Sequence, residues 1–209
     1  MSDSELNLEA DEPRVDERLL RAQVQEKYRE VAIEPDGEFH FQTGRPLAHR
    51  LGYPASLVDE LPDGAVESFA GVANPFSLRD IQPGERVMDA GSGGGFDCVM
   101  AASLVGQTGE VVGVDMTHEM LEKAEAERVQ LGIEHLSYRE GLLEALPVAN
   151  EWADTVISNG VFNLCADKTA VMAEMFRVLK PGGWLQFADI ANGNEVPASA
   201  QENVDLWTA

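Results

Sequence analysis

The chain has 209 residues, 44% of them hydrophobic, which suits one α/β domain with a buried core. Its 37 acidic and 15 basic residues give a net charge of −22, a surface that repels phosphate backbones and anionic lipid, so neither nucleic acid nor membrane is an expected partner. No apolar run approaches the roughly 18 residues that span a bilayer. The N-terminus is acidic where a signal peptide is basic, and a cytoplasmic location is expected. Lysine is confined to Lys27, Lys123, Lys168 and Lys180. That scarcity beside the acid excess fits a halophilic host or, equally, an acidic cytosolic protein. Cys98 and Cys165 have neither disulfide nor metal-site spacing, so they read as small buried hydrophobes and no metal is expected.

Residues 1–14 carry Asp3, Glu5, Glu9, Asp11 and Glu12 with little to bury, and read as a disordered acidic tail. From Val15 to about Ala32, Leu20, Val24, Tyr28 and Val31 recur at three- and four-residue steps, which predicts an amphipathic helix ended by Pro35-Asp36-Gly37. Residues 38–80 have no clean period. Phe39-His40-Phe41 stands among polar neighbours, and short helices are expected at 46–51 and 55–61. Together 15–80 read as a helical lid or substrate-facing segment.

From residue 81 a repeating unit sets in. It predicts strand 85–90, a helix over 95–105, strand 110–115 and a helix from an N-cap at Thr117 to Leu131. Strand 136–140 follows, then Gly141 and a short helical stretch to Pro147, strand 153–158 and a helix from Lys168 to Leu179. Pro181-Gly182-Gly183 then turns the chain into strand 184–190. Strands alternating with helices predict a doubly wound parallel sheet with ligands at the carboxyl ends of its strands.

The densest chemistry lies at Asp89-Ala-Gly91-Ser-Gly93-Gly-Gly95. Glycines let the backbone turn tightly and approach a ligand where a Cβ would collide. A dinucleotide fingerprint needs glycine at position 96, where Phe96 stands, and the Gly-Lys-Ser/Thr of a P-loop is absent. An acid before the glycines, Asp89, sits poorly beside a pyrophosphate but suits a cofactor bearing an ammonium or a sulfonium. Asp115, at the tip of the next strand, has the placement to accept two hydrogen bonds from ribose hydroxyls.

Four segments in this order resemble the class I S-adenosylmethionine (SAM) methyltransferases: Val87–Gly95, Gly113-Val-Asp-Met116, Gly141-Leu-Leu-Glu-Ala-Leu-Pro147 and Leu179-Lys-Pro-Gly-Gly183. The resemblance implies a Rossmann-like methyltransferase sheet over 81–209. It also implies SAM as cofactor and methyl transfer to a small-molecule acceptor. On it, Gly91, Gly93 and Gly95 line the methionyl portion, Asp115 the ribose, and Met116 packs on the adenine with Leu142 and Leu143 at its edge. Many relatives have an aspartate where Leu142 stands, and Glu144 is the substitute at hand. The family's sheet has seven strands and five are counted here, so the last two are expected to be missing. The expectation is a fragment of a longer protein, or a homodimer that hides the open edge.

A narrower resemblance, to the arsenite methyltransferase branch, rests on Val24-Gln-Glu-Lys-Tyr28, Gly71-Val-Ala-Asn-Pro75, Gly113–Thr117 and Ile157–Lys168. That branch holds trivalent arsenic with cysteine thiolates. Val72 and Gly160 stand where two of those cysteines belong. Ser158, Asn159 and Asn163 follow the fourth strand and are expected to face the transferred methyl. Asn159 is the candidate for positioning, Tyr28 for closing over the cofactor, and His40 for a base. The competing readings are a catalytically impaired SAM-binding remnant and a nicotinamide-dependent Rossmann oxidoreductase.

Overall fold

A computed structural model describes residues 16–191 and 193, apart from 36, 38 and 40. The acidic tail expected at 1–14 lies outside the described residues, as does His40. Helix α1 (Glu17–Ile33) opens on Asp16, whose carboxylate accepts the N–H groups of Arg18 and Leu19. It buries Leu20, Val24 and Val31, the stripe read from the sequence. Three short helices follow: α2 (Gly44–Arg50), α3 (Ala55–Val58) and α4 (Asp63–Val66). The last was not expected. A 3-10 turn over Pro75–Ser77 leads into the sheet.

Five strands and three helices follow, with no helix between β3 and β4: β1 (Arg86–Ala90), α5 (Phe96–Val105), β2 (Glu110–Asp115), α6 (His118–Gln130), β3 (Leu136–Glu140), β4 (Ala153–Asn159), α7 (Lys168–Val178) and β5 (Leu179–Ala188). All pairings are parallel, in the order β3-β2-β1-β4-β5. The central strands are covered on both faces, which is why they read as near-continuous apolar runs. Met88, Ala90, Val112, Val114 and Val156 share one core cluster with Leu143, Leu146 and Val148 and with Val171, Met175 and Val178 of α7, whereas Val87, Val111 and Ile157 cluster with α5 on the other face. Chain direction across the sheet reverses beside β1, where β2 lies on one side and β4 on the other. Above that point the loops diverge and leave a crevice.

Two local expectations are corrected. After Gly141 there is no short helix but a tight turn closed by a bridge between Leu142 and Ala145. The Leu146 N–H donates to Glu174 on α7, and Arg177 donates to the Leu146 carbonyl, so α7 rather than a helical ladder satisfies this backbone. Pairing of β5 with β4 begins at Leu179, opposite Ala153, and resumes at Trp184 opposite Thr155, so Lys180–Gly183 bulges out of register. Gly182 has φ +81°, a conformation that favours glycine. The strand closes at Ala188 rather than at residue 190.

Candidate active site

One cleft opens at the carboxyl ends of β1, β2 and β4. The glycine turn, Asp115-Met116, the 141–144 turn, the end of β4 and the inner face of α1 line it. The turn is fixed from above by Asp115, whose two carboxylate oxygens accept the N–H of Gly93 at 2.9 Å and of Thr117 at 2.8 Å. Burial raises the Asp115 pKa, and those backbone donors oppose the rise. Gly91 has φ +82°, and a Cβ there would stand 2.5 Å from Val161 Cγ2. At Gly93, φ is +50° and nothing lies within 4 Å of the Cβ position, so the backbone is open to a ligand there. Gly95 is crossed by the Tyr138 ring, whose Oη would lie 2.3 Å from an added Cβ. Of the three glycines, Gly93 is therefore the point of free approach, while Gly91 and Gly95 make room for Val161 and Tyr138.

Asp89 forms the floor, 2% exposed, and accepts the Cys98 thiol at 3.3 Å. Burial first, and the neighbouring Asp97 second, push its pKa well up. Asp97, in the first turn of α5, is held at about 6 by burial against hydrogen bonds from Tyr53 and Asn159. Phe96, which excludes the dinucleotide fingerprint, is 3% exposed and packs on Phe69 and Tyr53 with ring centroids 4.3 and 5.0 Å away. An aromatic there joins the cofactor helix to the N-terminal layer.

Asn159 ends β4 at the centre of the cleft. Its Oδ1 accepts the N–H of Val72 (2.8 Å) and Ala73 (3.2 Å). Its Nδ2 donates to the Ala73 carbonyl at 2.8 Å, to Asp97 at 3.0 Å and to Tyr53 at 3.1 Å. The amide thus clamps loop 71–73 and its chemistry is positional. Gly71 is needed beneath it, because a Cβ there would stand 2.4 Å from Nδ2. Val72 and Gly160 touch: a Cβ on Gly160 would lie 3.2 Å from Val72 Cγ1, and Gly160 has φ +74°. Ser158 is buried, its hydroxyl donating to the Ala90 carbonyl at 2.8 Å. The Asn163 side chain does not line the cleft, and its N–H donates to Asp189. Cys165 does line the cleft, its thiol pushed up to about 12 by burial and then by the charge of Glu144.

Helix α1 closes the open side. Gln25 donates to the Met116 carbonyl at 2.8 Å, Arg29 pairs with Glu119 at 2.9 Å and Arg21 with Glu144 at 3.4 Å. Met116 packs between Leu20, Val24 and Tyr28. Tyr28 stacks on Phe41 at 6.4 Å, and burial with the nearby charges of Asp115 and Asp189 pushes its hydroxyl up to about 12. Leu142 and Leu143 line the cleft beside Met116. Tyr53, Asp97 and Ser68 are the cleft-region residues that sequence reasoning missed. An acid in a first helical turn is ordinary, and Asp97's partners lie 44 and 62 residues away in sequence, so no local pattern marks them.

Comparison with known proteins gives these features a family. Residues 81–208 match the family described as methyltransferase domain, and the chain belongs to it. Within the class I SAM-dependent methyltransferases it falls in the arsenite methyltransferase-like branch. It is 42% identical to an arsenite methyltransferase of Halobacterium salinarum over 161 residues, which is 77% of this chain and 41% of that protein. It is 30% identical to the ubiquinone/menaquinone biosynthesis C-methyltransferase of Erwinia tasmaniensis, covering 71% of this chain and 68% of that protein. A crystal structure of an arsenic(III) S-adenosylmethionine methyltransferase from Chlamydomonas reinhardtii matches with a TM-score of 0.65 at 37% identity, covering 70% of this chain and 52% of the other. The chain spans 41% and 33% of the lengths of the first two arsenite methyltransferases it matches.

Proposed function

We propose that this chain binds SAM in the cleft and transfers its methyl group to a small-molecule acceptor at the Val72–Gly160 end. The observation that carries the reading is Asp115 clasping Gly93 across the carboxyl ends of β1 and β2, beside an apolar slot of Met116 and Leu143. A ribose, an adenine and a methionyl chain find a carboxylate, an apolar slot and an open glycine backbone in that order. The buried acid Asp89 at the floor holds its proton well above the usual carboxylate range, and a cationic group beside it, ammonium or sulfonium, would favour its ionised form and pair with it. When bound, SAM supplies a methyl on a sulfonium, an electrophile whose leaving group departs as a neutral thioether.

The protein's own contribution is alignment and exclusion of water. Tyr28 and Leu20 on α1 cover the cofactor, and Asn159 fixes Val72 and Ala73 just behind Gly71, which lines the cleft at its acceptor end. The lining on that side, Phe69, Ala70, Gly71 and Val161, is apolar. With valine and glycine at the two positions where the arsenite branch has cysteines, Cys165 is the one thiol among the described residues that line the cleft, and a single thiol does not make a ligand set for an arsenic centre. The acceptor read from this lining is a small apolar molecule other than arsenite. A cytoplasmic location and a homodimer covering the β5 edge, which is unpaired among the described residues, belong to the same reading.

Isothermal titration with S-adenosylhomocysteine tests the cofactor. Transfer of radiolabelled methyl from SAM to arsenite, small thiols and quinols tests the acceptor. Failure to bind S-adenosylhomocysteine overturns the proposal, and fast methylation of arsenite overturns its acceptor.

A further inference from the structure

Ser68 lies outside the segment that matches the methyltransferase domain and follows α4 in the N-terminal layer. It comes down on the glycine turn. The residue is 6% exposed and lines the cleft, with Cβ 3.3 Å and Oγ 3.9 Å from the point where a Cβ on Gly94 would stand. Its hydroxyl makes no hydrogen bond among the described residues. A buried hydroxyl without a partner is a standing cost to the fold, and such groups mark places where a ligand completes the bonding.

The second observation is next to it. Helix α5 starts at Phe96 behind an N-cap glycine, Gly95, and no side chain caps it. The acid in its first turn is engaged elsewhere, by Tyr53 and Asn159. The N–H groups at such a helix start attract an anion. Ser92 also lacks a partner, but its Oγ would lie 2.8 Å from a Cβ on Gly113, against β2. Arg21 is the one Lys or Arg among the described lining residues, and Glu144 pairs with it. An anion in the cleft therefore has neutral donors to turn to.

We propose that the Ser68 hydroxyl and the N-terminus of α5 together hold the α-carboxylate of the cofactor's methionyl group, an assignment that rests on the SAM reading above. The N-terminal layer then supplies part of the cofactor site. Ser68 donates its O–H to the carboxylate, and the first turn of α5 offers N–H donors on the other side.

The test is titration calorimetry of the whole chain with two ligands, S-adenosylhomocysteine and its decarboxylated analogue, which lacks only the α-carboxylate. Ser68→Ala should weaken S-adenosylhomocysteine about tenfold or more, the range for a hydrogen bond to a charged group, and leave the analogue unchanged. Ser68→Cys, similar in size and a poor donor, should behave like Ser68→Ala. The melting temperature of ligand-free Ser68→Ala should equal or exceed that of the parent, because the hydroxyl has no partner to lose. Equal weakening of both ligands, unaltered affinity for S-adenosylhomocysteine, or a lowered melting temperature would overturn the assignment. A parent chain that binds neither ligand overturns the SAM reading itself, before any variant is compared.

Discussion

Asp97 is a buried acid whose two donors come from different parts of the fold, Tyr53 beside the short helices and Asn159 at the end of β4. Burial keeps its pKa at about 6 against an ordinary 3.8. Between those pH values the folded state keeps a proton that the unfolded chain releases, so stability falls as pH rises from about 4 to 6. Asp89 is pushed the same way. Urea unfolding of the parent should show this slope, and Asp97→Asn should flatten it. Parallel curves for the two proteins would remove the assignment. Asn159→Ala leaves the N–H groups of Val72 and Ala73 without their acceptor and should cost about 2–4 kcal/mol in the same experiment. The importance of Asn159 was legible from its place after an apolar strand. Its four partner residues, Val72, Ala73, Tyr53 and Asp97, were not, because they lie 62 to 106 residues away in sequence and only the fold brings them to the end of β4.

At the scale of elements, α1 is tied to the cleft by apolar contact and by ion pairs, and the two differ in weight. Leu20 is 1% exposed against Val24 and Met116, so Leu20→Ala should cost about 2–4 kcal/mol and also weaken S-adenosylhomocysteine. The Arg29 and Glu119 side chains keep 46% and 32% of their exposure, so solvent screens the pair and Arg29→Ala should leave the unfolding curve close to that of the parent. Paired unfolding curves decide both. Strands β1, β2 and β4 were readable because covered parallel strands are written as apolar runs, whereas the edge strand β3, with Ser137, Arg139 and Glu140 exposed, was placed by its position in the repeating unit. The turn after Gly141 was misread as helix because its hydrogen bonds go to Glu174 and Arg177, about 30 residues on. Helix α4 was missed because four residues hold too little periodicity to register.

For the whole molecule, a net charge of −22 implies self-repulsion that salt screens. Melting temperature should rise between 0.1 and about 2 M KCl, and a maximum at low salt would count against a salt-adapted protein. The fold class followed from the alternation of strands and helices, and the proposed cofactor half of the site rests on motifs contiguous in sequence. The proposed acceptor end draws on residues 71–73 and 159–161, and only folding brings Val72 against Gly160. The shared direction of the five described strands has a practical side. Every cleft loop leaves the sheet at one rim, and the return loops, such as Gly106–Gly109, enter at the other. Gln107 and Thr108 are exposed there, separated from the cleft by the six residues of β2, a length of about 20 Å. That rim is a natural attachment point. A dye or surface linker introduced between Gln107 and Thr108 should leave S-adenosylhomocysteine affinity unchanged, giving a tethered sensor whose ligand face stays clear of its anchor.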